Sequence, residues 1–217
     1  MKFKTGLFDR PQVDPAGLSV IGSDEHRELA REAVRQSLVL LKNNNNTVPI
    51  SKNTLKILVA GSAAHNLGKQ SGGWTMEWQG IDGNQIPGTT IFDAIKNAVY
   101  ENSVIEYSLD GNFAPAKQLA EVGIAVVGEA PYAEGWGDRE YLTLTSEDLR
   151  TITRVKAASK KLVVIIVSGR PLDIRPYAGE WDAVIAAWLP GSEGEGVSDV
   201  LFGDYPFLGK SPVEWPM

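Results

Sequence analysis

LVVIIVSG, residues 162 to 169, is the most apolar stretch of the chain, and the fold turns on it. A short, β-branched apolar run that ends in Ser-Gly reads as a strand buried on both faces. Working outward, KILVA (56 to 60), IAVVG (124 to 128) and DAVIAAW (182 to 188) repeat the pattern, and SVIEYS (103 to 108) alternates like a strand. Helical patterns fall between them. Thr90 caps a helix through Val99, with Asp93 in a capping-box-like position. Residues 114 to 121 read as a short helix, Ser146 caps another that reaches about Ser159, and a glycine-rich turn leads into a helix over 195 to 202. Near the start, Ser23 caps a helix in which Leu29, Ala33, Val34, Leu38 and Leu41 recur at helical spacing, until Asn43 to Asn46 break it. Residues 1 to 22, with Pro11, Pro15, Gly6, Gly17 and Gly22, read as an interdomain linker, and 23 to 217 as one domain.

Alternating buried strands and helices predict an α/β fold: a mostly parallel sheet with helices on both faces, a three-layer α/β/α sandwich. Ligands of such sheets bind beyond the carboxyl ends of the strands. The loops 61 to 89, 129 to 145, 169 to 173 and 189 to 194 leave those ends.

Composition narrows the function. The chain is 43% hydrophobic and 22% charged with a net charge of -6, which disfavours nucleic acid and anionic membrane as partners. No run of 18 apolar residues is present. With no cysteine and two separated histidines, His26 and His65, thiolate chemistry and a His-pair metal motif are not expected.

Two loops carry candidate chemistry. The first, 61 to 89, is long for a compact α/β domain and holds Trp74 and Trp78. Ser71, Gly72 and Gly73 let the backbone pass closely and present Trp74, whose face can stack on a sugar ring; equally, both tryptophans can plug the loop onto the sheet. Trp74 is the better ligand candidate and Trp78 the better packing candidate. The second, EAPYAEGWGDRE (129 to 140), begins with Glu129 at the end of a buried strand. Burial there raises a carboxyl group toward the range a general acid needs. The alternative is a carboxylate that pairs with Arg139 or Arg170. Glu134, deeper in the loop and more solvated, competes for the acid role. The later LPGSEGEG turn (189 to 196) is a poor phosphate cradle, because Glu193 and Glu195 oppose an anion.

Taken in order, REAVRQSLVLLKNNNNTVPI (31 to 50), KILVAGSAAHNLGKQSGGWTMEWQG (56 to 80), VVGEAPYAEGWGD (126 to 138), VSGRPLDI (167 to 174) and AAWLPGSEGEGVSDVLFGD (186 to 204) resemble the second domain of glycoside hydrolase family 3, in its exo-β-glucanase branch. The resemblance covers roughly residues 20 to 215. It implies a six-stranded α/β sandwich that shares a retaining active site with a TIM-like barrel. The barrel supplies an aspartate nucleophile and the sandwich the acid/base glutamate. It implies Glu129 as that acid/base, Trp74 as the tryptophan stacking on the sugar, β-glucan oligosaccharides or β-glucosides as ligands, and no metal or organic cofactor. No Ser-Asp-Trp nucleophile motif occurs in the chain, and Asp182 belongs to a strand start. The expectation is a second domain without its barrel, inactive alone, with a barrel-facing surface that could pair two copies. A carbohydrate-binding or assembly module without chemistry is the alternative, and a nucleotide-binding domain a more distant one.

Overall fold

The computed structural model describes every residue except Pro11 and Val13. Pro11, one of the residues that mark the linker, therefore lies outside the described residues. The other residues of that segment are almost all exposed.

One six-stranded sheet forms the centre, built from β1 (Val39–Asn43), β2 (Lys56–Ala60), β3 (Val104–Ser108), β4 (Ala120–Gly128), β5 (Ser159–Val167) and β6 (Ala183–Trp188). Their spatial order is β1-β6-β5-β4-β2-β3. Every pairing is parallel except that of β1 with β6. The helices are α1 (Asp24–Ser37), the short α2 (Leu67–Ser71), α3 (Ile91–Ala98), α4 (Ser146–Ala158) and α5 (Gly194–Leu201).

Alternation along the central strands divides the core. Ile124, Val126, Val163 and Ile165 face α1, α3 and α5, through Val34, Ile95 and Val200. Ala125, Val127, Val164 and Ile166 face the other way, onto Ile152 and Val155 of α4 and onto Trp181 and Trp215. Both faces are thus covered, which is why these strands read as unbroken apolar runs.

Three expectations need correction. The helical pattern continuing to Leu41 stops at Ser37; Val39 to Asn43 form the edge strand, with Val39 opposite Ala186 and Asn43 opposite Ala183. The run Leu38 to Leu41 fits either period, and the free edge of β6 decides it. Residues 114 to 121 form no helix: Ala120 pairs with Ser159 and starts β4 earlier than the apolar run suggests. The cap of α4 is Thr145, not Ser146; the Thr145 hydroxyl accepts from the Asp148 N–H at 3.1 Å.

Among the five parallel strands, β2 lies between β3 and β4, so the chain winds one way from β2 to β3 and the other way from β4 onward. The crevice at such a reversal is where open α/β sheets bind ligands. The loops that leave β2 and β4 are the two that hold Trp74 and Glu129.

Candidate functional site

The two loops touch backbone to backbone. A Cβ on Gly73 would lie 2.1 Å from the Tyr132 carbonyl oxygen, and one on Gly80 would lie 2.7 Å from Cβ of Pro131. The tryptophan loop also closes on itself: Trp74 N–H donates to the Trp78 carbonyl at 3.0 Å, and Gly80 sits against the Gly72 carbonyl. The remaining edge loops join the cluster. Gly72 packs on Leu189, and Gly169 on the Tyr132 hydroxyl. Gln70, fully buried in α2, donates to the carbonyls of Thr89 and Gly191 and accepts from Ile91 N–H, tying three segments together.

Trp74 is 69% exposed and Trp78 48%, their ring centroids 6.3 Å apart and the planes inclined at 49°. Trp78, expected to pack, instead shares the surface with Trp74. Met76 and Trp136 are exposed as well. Trp74, Met76 and Glu134 all adopt left-handed backbone, with φ of 62°, 60° and 51°. Each such residue costs on the order of 1 kcal/mol or more, and such strain collects at functional sites.

Glu129 and Glu134 sit in opposite surroundings. The Glu129 side chain is 7% exposed. Its Oε1 accepts from Arg139 and, at 3.1 and 2.8 Å, from Nε and Nη2 of Arg170; its Oε2 accepts from the Tyr132 hydroxyl at 3.1 Å. Arg170 also donates to the Gly137 carbonyl and lies 4.6 Å from the centre of the Tyr132 ring. The alternative of an arginine-paired carboxylate therefore describes the geometry of Glu129, with both arginines taking part. Burial raises the Tyr132 hydroxyl, and the Glu129 charge adds to that. Burial pulls the Arg170 guanidinium down, but its bond to Glu129 together with the charges of Glu129, Tyr132 and Asp138 raises it overall.

Glu134 opens a single 3-10 turn, Glu134–Gly137, and is exposed. Among the described residues no hydrogen bond or ion pair engages its carboxylate. It is one residue past Ala133, as Trp74 is one residue past Gly73, and Gly73 and Ala133 are in contact. The two loops therefore meet one residue before Trp74 and one residue before Glu134, while Glu129 lies between two cavities of about 240 and 160 Å³. Asp148 lines the larger one with Trp136 and Arg139; burial raises its carboxyl, against hydrogen bonds from Thr145 and Ser62. Lys69 lines the smaller one.

Other residues singled out in the sequence do structural work. His65 shares a hydrogen bond with the Thr90 hydroxyl at 2.9 Å. Glu193 pairs with Arg27 of α1, while Gly194 and Gly196 let α5 approach Thr89 and Val34. Asp182 accepts from Leu162 N–H at 2.8 Å and joins β5 to the start of β6. Gln70 and Gln79 escape a sequence reading, because their hydrogen-bond partners lie far along the chain and no local motif marks them; Tyr132 bonds the nearby Glu129, and no motif marks it either.

Comparison with known proteins identifies the family. Residues 38–217 match the model of the glycosyl hydrolase family 3 C-terminal domain. The chain is similar to an exo-1,3/1,4-β-glucanase from a Pseudoalteromonas species, with 43% identity and a TM-score of 0.76 over 83% of this chain and 30% of that one. It is also similar to a β-glucosidase from Listeria innocua, with 25% identity and a TM-score of 0.78 over 94% of this chain and 29% of that one. A lysosomal beta glucosidase of Dictyostelium discoideum is 30% identical over 100% of this chain and 29% of its own length. The chain thus spans about a third or less of the relatives it matches. By sequence and by fold, it belongs to glycosyl hydrolase family 3, in the C-terminal domain of that family.

Proposed function

We propose that this domain is one half of a retaining, exo-acting β-glucosidase or β-glucanase site. In this reading it supplies an acid/base glutamate and a sugar-stacking tryptophan, and a barrel domain supplies the nucleophile. Trp74 is the stacking residue. Of the two candidate acids, the surroundings favour Glu134 over Glu129. A general acid must carry a proton to the leaving oxygen and retrieve one later. Both Glu129 oxygens already accept hydrogen bonds, three of them from guanidinium groups. Protonating or exposing Glu129 would leave Arg139 and Arg170 without their partner. The observation that supports the reading is the contact of Gly73 with Tyr132 and Ala133, which joins the loop of Trp74 to the loop that carries both glutamates. Glu129 then serves as the anchor of the loop.

In the two-domain enzyme that carries this domain, Glu134→Gln should slow substrates with poor leaving groups by about 10²- to 10⁴-fold. A 2,4-dinitrophenyl β-glucoside, whose leaving group needs no proton, should be slowed far less in its glycosylation step. Azide should restore turnover in Glu134→Ala and give a β-glucosyl azide. Leaving-group dependence and azide rescue in the Glu129 variants instead would return the role to Glu129.

A carbohydrate-binding or assembly module without chemistry is the second reading, favoured by the exposed Trp74, Met76, Trp78 and Trp136. Oligosaccharide binding by the chain alone, lost in Trp74→Ala, together with full activity of a Glu134→Gln two-domain enzyme, would support it.

A further inference from the structure

We infer that Trp78 is a second sugar-stacking residue, holding the glucosyl unit beyond the one on Trp74, and that the inclined pair selects curved β-1,3-linked chains over flat β-1,4-linked ones. The inference rests on Trp74 as the stacking residue of the proposed site, and it is the same whichever glutamate is the acid/base. Trp78 is 48% exposed beside Trp74 at 69%, with Met76 between them in sequence at 71%. A contiguous apolar surface left in solvent marks a contact surface rather than a core.

The two rings are held as one unit. The Trp74 N–H donates to the Trp78 carbonyl at 3.0 Å, so the residues between them form a closed turn. Within it the Glu77 N–H donates to the Thr75 carbonyl at 2.8 Å. Gly73, before the turn, packs on the Tyr132 carbonyl, and Gln79, after it, accepts from the Ala133 N–H at 2.9 Å. Both ends of the turn are thus fixed to the loop that leaves β4, and the rings keep their relative setting.

That setting decides how a saccharide meets them. The ring centroids lie 6.3 Å apart. A pyranose between two aromatic faces needs about 3.5–4.0 Å on each side, more than that separation allows. A chain therefore runs across the two rings in succession, one unit on each. The planes are inclined at 49°, so the second unit must be turned relative to the first. A β-1,4 chain is a nearly flat ribbon, and its second unit lifts off the inclined ring. Each β-1,3 linkage bends the chain and lets the second unit follow. Glu77 is exposed, and among the described residues no hydrogen bond or ion pair engages its carboxylate, which leaves it acceptors for sugar hydroxyls. An apolar protein surface over the rings would bury that carboxylate unpaired.

The test compares Trp78→Ala with Trp74→Ala in the two-domain enzyme, on laminaribiose, laminaritriose and cellotriose. Laminaribiose ends on Trp74, so Trp78→Ala should leave its kcat/KM within about twofold. On laminaritriose the same variant should lower kcat/KM about 3- to 10-fold, mostly through KM. On cellotriose the change should again stay within about twofold. Trp74→Ala should slow all three. Trp78→Phe, which keeps a flat ring, should recover most of the laminaritriose loss. Should Trp78→Ala not fold, Trp78→Leu keeps apolar bulk and still removes the flat face. Equal losses on laminaribiose and laminaritriose, or a loss that leucine recovers as well as phenylalanine does, make Trp78 a packing or interdomain residue and overturn the inference. Equal losses on the two trisaccharides keep the second sugar contact and overturn the selection of curved chains. Unchanged trisaccharide kinetics in the Trp78 variants, with Trp74→Ala impaired, overturn the role of Trp78 alone. Full activity of Trp74→Ala on laminaribiose removes the stacking reading, and this inference with it.

Discussion

Two glutamates five positions apart divide the work of one loop. Glu129, bound by Arg139, Arg170 and Tyr132, holds the loop, while Glu134 extends from it. Glu129→Gln should therefore act first on stability. It leaves two guanidinium groups short of a carboxylate, and we expect a loss of about 1–3 kcal/mol, read by thermal or urea unfolding. Asp148 offers a pH test. Burial raises its carboxyl, so the folded chain holds that proton more tightly than the unfolded one. The stabilisation is complete below the unfolded Asp value of about 3.9 and is lost as pH rises through the raised folded value. Asp148→Asn should flatten the pH dependence of stability just above the unfolded Asp value. An unchanged slope there would mean that Thr145 and Ser62 already compensate for the burial.

The elements show where a local reading succeeds and where it stops. β5 is legible because six consecutive apolar residues, Leu162 to Val167, allow little else. The helix α3 is marked by its Thr90 cap, hydrogen-bonded to the Asp93 N–H; α4 is found too, although its cap is Thr145 rather than the Ser146 that the sequence suggests. β1 is not legible, because Leu38 to Leu41 satisfy the helical period until β6 offers a partner. The expected helix over 114 to 121 yields to the pairing of Ala120 with Ser159 for the same reason. Contact between loops is likewise invisible locally. Gly73 faces the Tyr132 carbonyl, and an added Cβ 2.1 Å away has nowhere to go. Gly73→Ala should force the tryptophan and acid loops apart, at a cost on the order of 1–3 kcal/mol. In the two-domain enzyme, activity should fall further than stability, as parallel melting and turnover measurements would read.

Across the whole molecule, the reversal between β2 and β4 gathers the edge loops over one crevice, while Val34, Ile95 and Val200 close one face of the sheet and Ile152, Val155 and Trp215 the other. A sheet buried on both faces should unfold as one cooperative unit. We expect the chain alone to melt in a single transition and to show no useful turnover of an aryl β-glucoside. Addition of a family 3 barrel domain in trans should restore turnover; clear activity of the pure chain, lost in Glu134→Gln, would overturn this.

The apolar runs, the caps and the ordered motifs around Trp74 and Glu129 were enough to establish an α/β sandwich of family 3, since each depends on residues close together in the chain. They pointed to Glu129 as the acid/base, with Glu134 as the weaker alternative. They could not show the surroundings of either, which depend on Arg170, 41 residues beyond Glu129, and on the contact of Gly73 with Tyr132 and Ala133. Which carboxylate is tied down and which is left free depends on hydrogen-bond partners that meet only when β2, β4 and β5 lie side by side.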